Sequence, residues 1–166
     1  MAYITYENLS RIREEHKTKK IVFCSGVFDL THAGHVLFFE ECKKYGDVLV
    51  VAVGCDENIK KYKGDGRPIL NESLRIKMVD SLKPVDYVLF DGSVSPDNFN
   101  AYIEKIFIDL RPDIYVVNSD AFDIPYREAL AKKYNIQFEV LDRKCPAEYE
   151  QVSTSSIIEK IKKHLL

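Results

Sequence analysis

Ile21-Val22-Phe23-Cys24-Ser25-Gly26-Val27-Phe28-Asp29-Leu30-Thr31-His32-Ala33-Gly34-His35 is the stretch on which the fold turns. A short apolar run of strand type enters a glycine-framed turn, and an amphipathic segment, His35 to Tyr45, follows directly. A strand passing through such a turn into a helix is the opening of a βαβ unit. Gly26 lets the chain turn and lets a ligand approach a backbone that carries no Cβ, and Gly34 does the same at the helix entrance. The free N–H groups and the positive end of the dipole at that entrance favour bound phosphate. His32 and His35 can donate to phosphoryl oxygens and steady charge that builds in a transition state. Ordinary surface or cap histidines are the plainer reading, but it leaves the flanking glycines unexplained. A zinc pair lacks a third ligand nearby.

Outward from this stretch, apolar runs of strand length alternate with segments of helical period. Val48 to Val53 is a continuous apolar run, as expected of a strand buried on both faces of a parallel sheet. Val85 to Phe90, Ile114 to Val117 and Ile136 to Leu141 are the further strand candidates. Phe99, Tyr102, Ile103, Ile106, Phe107 and Leu110 share one helical face, with Ser95 as N-cap, Pro96 in the first turn and Arg111-Pro112 as the stop. Glu72 to Leu82 and Pro125 to Tyr134 also read as helices. A last helix from about Ser155 is expected to bury Ile157, Ile158, Ile161 and Leu165.

This alternation predicts an α/β fold: one Rossmann-like domain over residues 1–166, with a five-stranded parallel sheet in the order 3-2-1-4-5 and helices on both faces. Residues 1–18 are expected to form a helical extension, since Ile4, Leu9 and Ile12 fall at helix-like intervals. Lys61 to Asn71 is the one long polar loop. Ligands of such folds bind beyond the carboxyl ends of the strands where strand order reverses, which points to the ends of the first and fourth strands.

Composition narrows the class. A chain of 166 residues with 46% hydrophobic and 30% charged residues has enough material for one packed core. A formal charge of −2 argues against a nucleic-acid partner gripped by a basic face. The clusters Lys17 to Lys20 and Lys160 to Lys163 read as solvated surface. Cys24, Cys42, Cys55 and Cys145 form no CxxC pair and no zinc-like grouping. The opening MAYITYENLS lacks the pattern of a secretory signal, and no apolar run approaches the ~20 residues that span a bilayer. A cytoplasmic protein without a membrane partner is expected.

Gly26-Val27-Phe28-Asp29 followed by His32-Ala33-Gly34-His35 resembles the GxFDxxHxGH signature of the cytidylyltransferase-like nucleotidyltransferases. Lys63-Gly64-Asp65-Gly66-Arg67-Pro68, Arg75 and Val85-Asp86 are similar to the ADP-heptose synthase branch, the heptose 1-phosphate adenylyltransferases. Ser153-Thr154-Ser155-Ser156-Ile157-Ile158 is similar to the ISTTxI motif of that branch and of glycerol-3-phosphate cytidylyltransferases. The resemblance implies direct attack of an acceptor phosphate on the α-phosphorus of an NTP, with pyrophosphate leaving in line. It implies catalytic roles for His32, His35, Lys63 and Arg75, the last also binding the acceptor or its phosphate. Nucleotide contacts are implied for Gly26, Val27, Phe28, Asp29, Gly34, Asn118, Asp120, Arg143, Ser153, Thr154 and Ser155. Asp56 reads as a contact to acceptor or nucleotide, or as a turn residue. Mg2+ is implied with the NTP, without an all-protein metal site, and small members of the family imply a homodimer.

The chain departs from the pattern in three places, one of them the added segment before the first strand. Asn118-Ser119-Asp120 stands where the heptose branch has Gly-Gly-Asp, and Glu150-Gln151-Val152 precedes Ser153 where the cytidylyltransferase branch has an arginine-containing RTxG. ATP and CTP therefore both stay open, as do a sugar phosphate and a polyol phosphate acceptor, with a tilt to the heptose-like enzymes from the KGDGRP stretch. An FMN adenylyltransferase and a non-catalytic nucleotide-binding regulator are the other readings.

Overall fold

A computed structural model describes residues 3–90, 101–143 and 145–165. The elements, in chain order, are β1 (Tyr3–Ile4), a 3-10 turn (Tyr6–Asn8), α1 (Leu9–Glu15), β2 (Ile21–Gly26), α2 (Ala33–Lys43) and β3 (Val48–Val53). Then come α3 (Asp56–Lys63), α4 (Glu72–Asp80), β4 (Tyr87–Phe90), α5 (Ala101–Asp109), β5 (Ile114–Asn118), α6 (Ile124–Lys133), β6 (Gln137–Leu141) and α7 (Thr154–Leu165). All strand pairs are parallel, in the order β1-β4-β3-β2-β5-β6. Without β1, the five expected strands stand in the expected order 3-2-1-4-5.

The sheet forms because its central strands can be buried on both faces. Every residue of β3 is buried, and alternate β2 side chains enter opposite core layers. One layer joins Phe23 and Tyr115 to Leu9 and Ile12 of α1, Ile103, Ile106 and Phe107 of α5, and Leu130 and Ala131 of α6. The other joins Cys24, Val51 and Val116 to Phe38, Phe39 and Cys42 of α2 and Val79 of α4.

Three expectations are corrected. The N-terminal extension is not helical throughout: Tyr3–Ile4 pairs with Val88 and Leu89 as an edge strand, because the open side of β4 offers backbone partners. Lys60, Lys61 and Lys63 belong to a helix rather than a loop. Asp56 and Glu57 at its start and the three lysines at its end complement its dipole, and it ends at Gly64, whose φ is +84°. No residue of α7 is fully buried; Ile157 and Ile158 are half-buried, whereas Ile161 and Leu165 are exposed. The expected cap at Ser95 and Pro96 lies outside the described residues.

Candidate active site

β2 is flanked by β3 and β5, and the chain leaves it first toward one edge of the sheet and later toward the other. A cavity of about 550 Å³ opens at the carboxyl ends of these strands, a volume typical of small-molecule sites. Every residue expected at the site lines it except Asp56 and Arg75.

His32 is the N-cap of α2, and His35 is its third residue. Their rings stack with centroids 3.9 Å apart and an interplanar angle of 23°. The His32 backbone N–H donates to His35 Nδ1 at 3.4 Å. A neutral His35 in that arrangement carries its proton on Nε2, where it can donate to a ligand. His35 is pushed down to about 3, first by burial, then by the neighbouring His32 and by Arg143. Burial, followed by Arg143, also lowers His32. Both rings are therefore neutral near pH 7, the state in which two stacked imidazoles coexist without repulsion. His32 Nδ1 is buried without a hydrogen-bond partner. Gly34 permits the close approach around them: a Cβ there would lie 3.0 Å from His32 Cε1 and 3.3 Å from the Val152 carbonyl oxygen.

Cations surround this pair. Lys63 at the end of α3 is lowered by desolvation of its ammonium and then by the neighbouring Arg67. Arg143, beyond β6, pairs with Asp120, beyond β5. Asp120 thus holds Arg143 at the cavity as a carboxylate counter-ion. At the start of α7, Ser153 and Ser156 cap each other: the Ser156 N–H donates to Ser153 Oγ at 3.1 Å, and the Ser153 N–H to Ser156 Oγ at 2.9 Å. Thr154 Oγ1 donates to the Asp29 carbonyl at 2.8 Å and ties the helix to the turn after β2.

Asp29 and Arg75 frame the cavity from behind. The Asp29 carboxylate is buried and accepts from the N–H groups of Leu30 at 3.1 Å, Ile69 at 2.8 Å and Leu70 at 3.0 Å, and from Arg67 Nε at 3.1 Å. These four bonds match the acceptor capacity of a carboxylate. Its neighbours Phe28 and Leu30 have φ of 51° and 45°, and bulky residues in that region cost about 1–3 kcal/mol each. Arg75 has 0% exposure and donates to the carbonyls of Leu70, Val27 and Gly54 at 3.0, 2.6 and 2.7 Å and to Asp56 Oδ1 at 2.6 Å. Asp56 also receives the Glu72 N–H at 3.1 Å. The expected catalytic arginine and acceptor-binding aspartate are thus placed behind the cavity wall, with one another as partners.

Sequence reasoning missed Arg127, Ser25 and Tyr115. Arg127 of α6 is buried, donates Nε to the Phe122 carbonyl at 2.7 Å, and bonds Ser25 Oγ at 3.2 Å as well as the Tyr115 hydroxyl. Its signal was its place: it is the fourth residue of α6, as Arg75 is the fourth of α4.

The profile of the cytidylyltransferase-like family matches residues 23–160, from β2 into α7. The chain belongs to the cytidylyltransferase-like family. Among its relatives, bifunctional protein HldE of Helicobacter pylori (strain P12) is 36% identical over 156 residues, covering 93% of this chain and 30% of the relative. The HldE of Campylobacter jejuni subsp. doylei is 35% identical over 167 residues, covering 96% and 32%. This cytidylyltransferase-like chain spans about a third of the length of the curated relatives it matches. The crystal structure of a lipopolysaccharide core biosynthesis protein from Thermoplasma volcanium GSS1 superposes with a TM-score of 0.59 at 28% identity, over 80% of this chain and 99% of that one. A pantoate-beta-alanine ligase from Francisella tularensis, at 16% identity and a TM-score of 0.63, covers 100% of this chain and 78% of its own, and shares the fold alone.

Proposed function

We propose that this chain transfers AMP from ATP to a sugar 1-phosphate and releases pyrophosphate, a step in the synthesis of cell-surface carbohydrate. The observation that carries the reading is the neutral, stacked His32–His35 pair at the start of α2, facing one cavity with Lys63, Arg67 and Arg143. The HldE relatives, the KGDGRP stretch and the lipopolysaccharide core biosynthesis neighbour support the acceptor class.

An oxygen of the acceptor phosphate attacks the α-phosphorus; a new P–O bond forms as the bond to the β-phosphate breaks. No protein nucleophile is required, so positioning and charge stabilisation are the protein's task. His35 Nε2–H and His32 donate to the α and β phosphates as charge shifts onto the leaving group. Lys63, Arg67 and Arg143 balance the triphosphate and acceptor charge, with Arg143 exchanging Asp120 for phosphate on binding. Lys63 is the catalytic lysine of this reading, Asn118 and Asp120 face the nucleoside, and the start of α7 at 153–155 offers an anion site for the phosphates of the nucleotide.

Among the described residues no group of three or more His, Cys, Asp or Glu side chains could hold a metal. The Asp29 carboxylate already accepts four hydrogen bonds. The site therefore suits a Mg2+ that arrives on the triphosphate with its own waters. That ion neutralises charge on the phosphates. Among the described residues no helix is long and apolar enough to cross a membrane. The exposed Ile161 and Leu165 of α7 support the expected homodimer.

Asn118-Ser119 in place of Gly-Gly favours a second reading, CTP with a polyol phosphate. Pyrophosphate release with Mg2+ decides, crossing ATP, CTP, GTP and UTP with heptose 1-phosphates, other sugar phosphates, glycerol 3-phosphate and FMN, with His35→Ala as control. Turnover of one pair, lost in His35→Ala, establishes base and acceptor together. Silence despite NTP binding favours the regulator, and silence without it refutes the phosphate site.

A further inference from the structure

Tyr62 and Phe122 stand at the mouth of the cavity, apart from the groups assigned to the phosphates. Tyr62 lies near the end of α3, which follows β3, and Phe122 lies in the turn after β5. Because β3 and β5 flank β2, the two rings meet across its carboxyl end, with centroids 5.5 Å apart at 41°. Both line the cavity, yet they are 50% and 59% exposed. Large aromatic faces left in water at a ligand mouth are surfaces that a ligand would cover. Phe122 is held from behind, since Arg127 Nε fixes its carbonyl and the Ala121 N–H donates to the Asn118 carbonyl at 2.9 Å.

We propose that Tyr62 and Phe122 are the acceptor-specificity element: an aromatic bridge on which the sugar ring of the acceptor packs its C–H face while Lys63 and its neighbours hold the phosphate. The inference rests on the sugar 1-phosphate reading above. Three features favour a sugar over the nucleotide base. Centroids 5.5 Å apart leave no slot for a flat base, which needs about 3.5–4 Å on each side. A ligand on this half-exposed rim keeps one side in water, which suits a ring with an apolar face and a rim of hydroxyls. Tyr62 directly precedes Lys63, and in a sugar 1-phosphate the ring is one ester bond from the phosphate that Lys63 would grip.

The test uses the full chain with Tyr62→Ala, Phe122→Ala and Tyr62→Phe. Initial rates are measured with D-glycero-β-D-manno-heptose 1-phosphate and D-mannose 1-phosphate. Calorimetry measures binding of each sugar phosphate, of glycerol 3-phosphate and of a non-hydrolysable α,β-methylene ATP. Either alanine variant should raise the sugar phosphate KM about tenfold, with the change falling on KM rather than kcat. Tyr62→Phe, which keeps the ring, should restore most of that affinity. Binding of the ATP analogue and of ringless glycerol 3-phosphate should stay within about twofold, well under the tenfold that 1.4 kcal/mol represents. A matching loss of ATP analogue affinity would assign the rings to the base and overturn the proposal. An equal loss for glycerol 3-phosphate, or no change for either sugar phosphate, overturns it as well. Wild type that binds the ATP analogue but neither sugar phosphate overturns this inference and leaves the nucleotide site standing. Wild type that binds neither overturns the functional reading with it.

Discussion

Asp29→Ala tests whether Asp29 is a ligand contact or a structural anchor. The carboxylate is buried and holds Arg67 Nε and the N–H groups of Leu30, Ile69 and Leu70, all within 3.1 Å. Truncation leaves a half-buried guanidinium and three backbone donors without an acceptor. Removing one partner of a buried ion pair costs about 3–5 kcal/mol. At roughly 2–4 °C per kcal/mol for a chain of this size, the melting temperature should fall on the order of 10 °C. Asp29→Asn should lose about half as much, because its single carbonyl oxygen keeps only two of the four donors. Thermal unfolding near pH 7.5, followed by pyrophosphate-release kinetics well below the transition, separates the two roles. Catalysis should fall in the folded variant because Arg67 and the strained Phe28–Leu30 turn lose their tether. A melting temperature within about 2 °C of wild type, together with lost NTP affinity, would refute the anchor and make Asp29 a direct ligand.

His35→Ala should lower kcat about a hundred- to thousandfold, as when one donor to a developing oxyanion is removed, with the fold retained by circular dichroism. The lowered histidines also set the acid limb of stability. The unfolded chain takes up protons below about 6.5 while folded His35 resists to about 3, so stability falls as pH drops through that window. His35→Gln should flatten that fall in urea melts from pH 7 to 4, and an unchanged limb would contradict the burial assigned to His35. Arg75→Met should destabilise by about 3–5 kcal/mol with little rescue by Arg75→Lys, since one ammonium cannot reproduce a fork that reaches four acceptors. A stable Arg75→Met that has lost only acceptor affinity would return Arg75 to the binding site. Gly34→Ala should displace His32 and cut kcat with a smaller loss of stability, because the added Cβ would sit 3.0 Å from its ring. Wild-type turnover would show that the His32 position is not needed.

The sheet was legible because burial on both faces imposes a pattern that local residues must obey. Val48 to Val53 reads as a buried parallel strand whatever surrounds it, and α5 carries its core face in its own period. β1 was not legible, since two residues on an edge carry no period; pairing with β4 places them and brings Ile4 into the core. α3 escaped for a related reason: it offers one fully buried apolar side chain, Ile59, among charges that read as a loop. α7 misled in the opposite direction. Its apolar stripe is real, but a stripe states what a helix can bury, and no described element covers Ile161 or Leu165.

At the site, residues whose role is local were legible and those whose role is tertiary were not. The histidine pair, Gly34 and the serines at α7 act through the helix starts on which they sit, so spacing along the chain was enough to find them. Arg75 and Arg127 act across the fold, and they make the same move on two sides of β2. Each is the fourth residue of its helix, and each donates Nε to a carbonyl five residues earlier, Leu70 and Phe122. Each then donates Nη1 to the end of β2, at the Val27 carbonyl and at Ser25 Oγ. The loop before α4, with Arg67 in it, and the turn before α6, with Asp120 and Phe122, are thereby both registered to the strand end that carries Gly26. A strongly buried arginine beside a cavity invites a catalytic assignment. Here the donors go to wall carbonyls and to the framework side chains Asp56, Ser25 and Tyr115, an arrangement that holds the cations of one side and the aromatic rim of the other at a set distance from the histidines.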